Sequence, residues 1–197
     1  GEIFRYRSKH DEAEDLYNHS IEQARRNDNH YVLSLSYEGK ARIYLDTIRP
    51  DRAEAILKEA IKYREKLNVP NEEKARLYHM LGENLLNAGY AKKAESWLNE
   101  AKKLSLPIDE TNLEARIYLR TGRLYQAKQF LLNKKAKYPH FEVEHLPQSH
   151  RETDILLSLI ESFIGHAEEG KMYAQKGIEQ GIENESPFVE ACGWMRM

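Results

Sequence analysis

A single cysteine, Cys192, is all that this chain of 197 residues carries, so no disulfide forms within it and the framework comes from packing. Thiol scarcity of this kind suits a reducing compartment, and a cytoplasmic location is the expectation. Charge of one sign is missing too: 30 Lys and Arg stand against 32 Asp and Glu, so no global field draws the chain to nucleic acid or to a membrane surface. No apolar run approaches the ~18 residues of a spanning helix. The first residues read as the middle of a helix rather than as a signal peptide. Also lacking are a Cys pair, a His-Glu-x-x-His motif and a Gly-rich phosphate cradle, so neither a metal centre nor a nucleotide site is expected, and no cofactor.

What is present is a repeated pattern, clearest from Lys74 to Lys103. Tyr78, Leu81, Gly82 and Leu85 recur at helical spacing, Gly89-Tyr90 interrupts them, and Ala94, Leu98 and Ala101 mark a second helical face. The pattern predicts two amphipathic helices packed antiparallel. Gly82 and Ala94 fall where the helices cross, since larger side chains would hold the backbones beyond the ~8–10 Å of packed helices. Gly89, just past the periodic residues, reads as a C-cap in the left-handed conformation. This order of an aromatic, Leu-Gly, Gly-Tyr, Ala and Ala resembles the tetratricopeptide repeat.

The same register returns along the chain. Gly1, Phe4, Ala13, Tyr17 and Ser20 match it from its middle onward, and Tyr37, Ala41, Tyr44, Ala53, Leu57 and Ala60 match it throughout. Later copies carry Ala115, Tyr118, Gly122, Ala127 and Leu131, then Gly165, Gly170, Ala174 and Gly177, with Ser158 and Glu161 in place of the expected Gly and aromatic. Each turn glycine precedes its small anchor by five residues: Gly89 and Ala94, Gly122 and Ala127, Gly165 and Gly170. The anchors Ala13, Ala53, Ala94, Ala127 and Gly170 are 40, 41, 33 and 43 residues apart. Most units are therefore longer than the ~34 residues of the commonest form. Ala60, Tyr63 and Leu67 predict that one second helix runs on until Asn68-Val69-Pro70 stops it.

The expected fold is all-α: a single domain over residues 1–197, a right-handed α-α superhelix of about five helix pairs, TPR-like. Its units span about 1–28, 29–70, 71–106, 107–139 and 150–184, with another beginning over 186–197. Both ends fall inside a repeat, which predicts an internal fragment of a longer protein, truncated at each end, whose exposed end faces self-associate.

Candidate chemistry is sparse. His79 and Glu83 lie one helical turn apart, as an acid and a base would, but the spacing equally gives an ordinary surface pair, and no nucleophile or oxyanion site accompanies them. From Glu114 to Lys137 the cations Arg116, Arg120, Arg123, Lys128, Lys134, Lys135 and Lys137 outnumber the anions; the readings are a solvated helix face or a basic patch for phosphate or nucleic acid. The stretch from Lys137 to His150 breaks the helical pattern and holds His140, His145, His150, Glu142 and Glu144. Its five-residue spacing fixes no metal geometry, so it reads as a connection between units. Cys192 sits in the packing register and reads as a small buried residue. The chain is expected to be non-enzymatic.

The resemblance implies more. First helices of tetratricopeptide repeats line a concave groove, and the register places Arg5, Glu38, Arg42, Asp46, His79, Glu83, Asn87, Asn112, Arg116 and Arg120 on it. This mixed polar set favours a protein or peptide, or a small polar effector, over a lipid. The family's clamp for acidic chaperone tails is not formed, because its positions carry Glu38, Gly39 and Arg42, then Arg76, His79, Met80 and Glu83. Lys171-Met172-Tyr173-Ala174-Gln175-Lys176-Gly177-Ile178 and the residues from Ser186 to Arg196 resemble the sensor arrays of MalT-type, LuxR-family ATP-dependent bacterial transcription activators. That resemblance implies an effector-sensing or interaction segment, with DNA met only through another domain of the parent chain. The alternatives are a free-standing adaptor that docks peptides or helices, and a peptide-pheromone receptor or response-regulator phosphatase of the helical-repeat kind, using Glu83 or Asn87.

Overall fold

The computed structural model describes residues 1–7, 9–105, 111–137, 152–183 and 185–197. Among them are eleven helices and no strand. The chain forms two compact units, Gly1–Ile108 and Asp109–Met197. The first holds α1 (Glu2–Tyr6), α2 (His10–Arg26), α3 (His30–Asp46), α4 (Pro50–Glu65), α5 (Asn71–Asn87) and α6 (Ala91–Leu104). The second holds α7 (Leu113–Arg120), α8 (Leu124–Lys137), α9 (Thr153–Phe163), α10 (Ala167–Glu183) and α11 (Pro187–Trp194).

Helices pack as consecutive antiparallel pairs: α1 with α2, α3 with α4 and α5 with α6, with α2 also touching α3 and α4 touching α5. In the second unit α7 pairs with α8, α9 with α10, and α11 lies on α10. The anchors Ala13, Ala53, Ala94 and Ala127 have no exposed surface, and Gly170 is buried. Ala41 and Gly82 in the first unit and Ala115 and Ser158 in the second, expected opposite them, are buried as well. Helix α11 comes closest of all: a Cβ on Gly181 would lie 2.3 Å from the Glu190 backbone nitrogen, and one on Gly193 2.9 Å from the Ala174 carbonyl oxygen. Cys192 packs there with Ile155 and Val189.

Turns repeat as faithfully as the helices. At Tyr90, Arg123 and His166 the N–H bonds back to the carbonyls of Leu85, Tyr118 and Glu161, and the preceding Gly89, Gly122 and Gly165 bond to Leu86, Leu119 and Ser162. These paired bonds are Schellman closures, and the three glycines take φ of 89°, 76° and 89° as their turns require. Three further turns close identically without glycine, at Asp28, Ile48 and Glu185, with φ of 50°, 52° and 50°. Ile48 precedes Ala53 by the same five residues as the turn glycines precede their anchors, so it occupies a glycine position with a β-branched side chain.

The expected length of α4 needs correction. The helix ends at Glu65, so Leu67 lies outside it; residues 66–69 reverse the chain into α5, whose N-cap is Pro70. Pro70 pushes Val69 to extended backbone, so no helix runs through that position into α5.

Left-handed backbone costs an L-residue about 1–2 kcal/mol, and Ile48 is 65% exposed, so its side chain returns little burial in exchange. Replacing Ile48 with Gly is expected to stabilise the protein by about 1 kcal/mol after glycine's own entropy cost, read as a raised midpoint in urea denaturation; a lowered midpoint would contradict the strain.

Candidate interaction surface

On α3, Tyr31, Leu35, Glu38 and Arg42 follow at i, i+4, i+7 and i+11 and so share one face. Around Glu38 this face collects charge from three helices. Glu38 Oε1 accepts from Arg42 Nη2 (2.7 Å) and is paired with Arg76 Nε (2.9 Å), while Oε2 accepts from Arg64 Nη2 (3.2 Å). Arg64, from α4, has no exposed surface at all. Its Nη1 donates to Glu73 of α5, its Nε donates to Ser34 Oγ (2.9 Å), and its guanidinium carbon lies 5.4 Å from the Tyr31 ring centre. Ser34 in turn donates to the Ala60 carbonyl (2.8 Å).

The network continues toward the start of the chain. Glu2 of α1 accepts from Arg5, Arg42 and the Tyr17 hydroxyl (2.8 Å), and Arg5 also donates to Asp46. Burial alone would raise the Glu2 carboxyl, but the Tyr17 hydrogen bond and the charges of Arg5 and Arg42 outweigh it and hold it below its ordinary value. Burial and the Glu2 carboxylate push the Tyr17 phenol well above its own. Arg5, Arg42, Arg64 and Arg76 are thus balanced by Glu2, Glu38, Asp46 and Glu73. Such a face holds helices in register and offers no nucleophile or proton relay.

The ten residues expected on a groove divide by burial. Arg5, Glu38, His79, Glu83, Asn112 and Arg116 are buried; Arg42, Asp46 and Asn87 are partly covered; Arg120 is exposed. Arg5, Glu38, Arg42 and Asp46 join the network described above. The surface reading of the His79 and Glu83 pair is corrected, since both side chains are buried within the packed face of α5. Asn112 is likewise not on an open surface: it precedes α7 with φ 53°, donates to Thr153 Oγ1 (3.1 Å) and accepts from Lys134 Nζ (2.7 Å).

Three lysines of the basic stretch of α8 are engaged with neighbouring side chains. Lys128 pairs with buried Glu161 (2.7 Å), Lys135 with buried Asp154 (2.5 Å) and Lys134 with Asn112, so they tie α8 to neighbouring segments. His166 Nδ1 meets the second Glu161 oxygen at 3.0 Å. Glu152 caps α9 by accepting from the Ile155 N–H (2.8 Å). Burial, aided by Asp154, pushes its carboxyl up to about 7 against the lowering effect of that bond and of Lys135.

Among the described residues no three His, Cys, Asp or Glu side chains are placed to hold a metal ion. The histidines and glutamates between Lys137 and His150 lie outside the described residues. No described helix is long and apolar enough to cross a membrane. Arg64, Glu73, Arg76 and Glu2 were absent from the expected site. Arg64 was legible: it extends the buried Ala53, Leu57 and Ala60 stripe of α4 by one more turn, and a charge in an apolar register demands a partner.

Two tetratricopeptide repeat families match the chain, one over residues 1–66 and the other over residues 75–106. Both matches fall in the first unit and support a tetratricopeptide-repeat helical array; the fold class read from the sequence, an all-α TPR-like solenoid, stands. Tetratricopeptide repeat families are generally non-catalytic modules that bind proteins. No curated protein and no solved structure matches the chain.

Two outcomes follow from the charges. Arg64→Met leaves Glu38 and Glu73 short of a buried cation and is expected to cost about 3–5 kcal/mol in urea denaturation; a loss under about 1 kcal/mol would show that the network contributes little. For Glu152, the folded value of about 7 lies above the ordinary 4.5. Its stabilising share is whole below the unfolded value and is lost as pH rises through the folded one. Glu152→Gln keeps the capping oxygen and is expected to remove that loss, gaining about 1–3 kcal/mol above pH 7 and nothing at acid pH, measured as urea midpoints across the range.

Proposed function

We propose that the chain is a non-enzymatic interaction segment that receives a partner on the inner face of its first helices. The observation that carries this reading is the charge-neutral network through Glu38 and Arg64, which fixes α1, α3, α4 and α5 before any partner arrives. Preorganised surfaces lose less ordering entropy on binding.

In its finer form, the segment serves as the effector-sensing or interaction part of a cytoplasmic bacterial transcriptional regulator. The support for this is the MalT-type resemblance of Lys171–Ile178 and Ser186–Arg196. A partner or effector then acts by binding one state of the parent better than another, since equal affinity shifts nothing. The second reading, a free-standing adaptor, draws on the same inner face.

Sequencing the coding DNA on both sides decides between them. The regulator reading expects a Gly-x-x-x-x-Gly-Lys-Ser/Thr loop or a helix-turn-helix in the same frame. A frame with neither removes it and leaves the adaptor. The shared core is tested by placing a photo-crosslinking residue at Arg42 on the inner face and at Lys58 on the outer side of α4. A defined protein adduct from the first position and none from the second is expected; equal adducts from both would defeat the inner face as the docking surface.

A further inference from the structure

Three turns join the helix pairs of the first unit along one edge, at residues 7–9, 47–49 and 88–90, and their side chains serve neither the apolar seam nor the inner face. The edge is continuous. Arg5, near the end of α1, donates to Asp46 at the end of α3, and Asn84 Nδ2, in the last turn of α5, donates to the carbonyl of Pro50 at the start of α4 (2.9 Å). A large apolar side chain stands in water at each turn: Phe4 is 37% exposed, Ile48 65% and Tyr90 54%. Cations accompany them. Lys9 Nζ lies 6.0 Å from the Phe4 ring centre and Lys93 Nζ 4.9 Å from that of Tyr90. Arg7, Arg49, Lys92 and Lys93 are exposed, and among the described residues none of these four makes an ion pair. Acids are fewer: Asp11, Glu12 and Asp51 open α2 and α4, with Glu12 4.0 Å from Lys9, and the first turn of α6 has none.

We propose that this edge, with Phe4, Ile48 and Tyr90 beside Arg7, Arg49, Lys92 and Lys93, binds the surface of an anionic lipid membrane, lying on it without spanning it. The proposal stands apart from the inner-face reading and leaves that face open to a partner. Ile48 argues for it first. Its left-handed backbone is unfavourable and its side chain returns no burial to the fold, and strain of that kind persists where a residue has a task besides folding. The occupant follows from the mixture of groups. Apolar tips on three separate turns suit lipid, which rearranges around each one, whereas a folded partner is met through a contiguous apolar patch. Nucleic acid would stack on flat rings, and Ile48, the most exposed of the three, offers none. Tyr90 has the amphipathic ring that settles at headgroup level. The four cations without ion pairs face phosphate and carboxylate headgroups, and because the whole chain carries a net charge of −2 their attraction is confined to this edge and to within a Debye length of the surface.

The test is co-sedimentation of the whole chain with vesicles of phosphatidylserine and phosphatidylcholine in equal parts, beside vesicles of phosphatidylcholine alone. The chain is expected to sediment with the mixed vesicles and to stay in solution with the neutral ones. Ile48→Gly is expected to weaken binding about tenfold, through loss of an inserted apolar group, while raising the urea midpoint, so the loss cannot be laid to unfolding. Lys92→Gln and Lys93→Gln are each expected to weaken it about fivefold and together to multiply. Arg26→Gln, at the end of α2 on the opposite edge, is expected to leave binding unchanged. No sedimentation with the mixed vesicles would overturn the proposal. Binding that Ile48→Gly leaves intact would overturn it as well, by reducing the effect to charge alone, and so would an equal loss in Arg26→Gln. Single-stranded RNA held in the same buffer while the vesicles are not would overturn it in favour of nucleic acid. Crosslinking at Arg42 reads the inner face by itself, so its failure and that of the vesicle test are separate results.

Discussion

Two helices can share an apolar seam only if their backbones come close at one point, and in this protein that point is kept free of side chains in pair after pair. Ala13, Ala53, Ala94 and Ala127 are wholly buried, and Gly170 occupies the fifth position. The residue opposite adjusts to keep the gap constant. Between α9 and α10 the larger Ser158 is matched by the smaller Gly170, where a Cβ would stand 3.3 Å from the Ser158 carbonyl oxygen. Close crossing then dictates the turn, because helices this near must be joined within a few residues. The Schellman closure does so at the cost of one left-handed residue. Glycine supplies it cheaply three times; Asp28, Ile48 and Glu185 supply it under strain.

Once helices are this close, what lies along the seam must be apolar or fully partnered. The α4 stripe is apolar until Arg64, and there the protein takes the costlier option. A guanidinium without exposed surface persists because two carboxylates, a serine hydroxyl and a tyrosine ring surround it. Apolar residues in place of Arg64 and its carboxylate partners together would fill the space with less penalty. What Arg64 adds is register: Glu38 lies on α3 and Glu73 on α5, so sliding either helix along α4 breaks a buried pair. The same logic recurs in the second unit, where Lys128 and Lys135 hold Glu161 and Asp154 at two levels of α9.

The features with a period were legible in the sequence, and those without one were not. Spacing located the crossing residues and the three turn glycines because small size and positive φ leave a compositional mark. Ile48 escaped notice at the same register position, since its identity contradicts its conformation. The groove was read as ten positions pointing one way, a reading that says nothing about partners. Glu38 and Arg42 could be placed on a face from α3 alone; that Arg64 reaches them from α4 and Arg76 from α5 depends on how far apart the helices sit. His79 and Glu83, an ordinary i, i+4 pair in sequence, are buried for the same reason. Charge counting failed between Glu114 and Lys137 because the anions that answer those lysines lie in α9.

This division bears on how a repeat unit can transmit anything. Apolar seams tolerate small sliding, since neighbouring alanines and leucines offer nearly equal contacts over a fraction of a turn. A buried ionic network does not, because its energy falls steeply once a hydrogen bond is stretched. With Glu38 tied to α1 through Arg42 and Glu2, to α4 through Arg64 and to α5 through Arg76, these helices have one favourable spacing. A partner that docks on them meets a rigid template and gains selectivity from its fixed charges. It gains little by way of induced change within the template, so any switching that follows docking must come from elements outside this network.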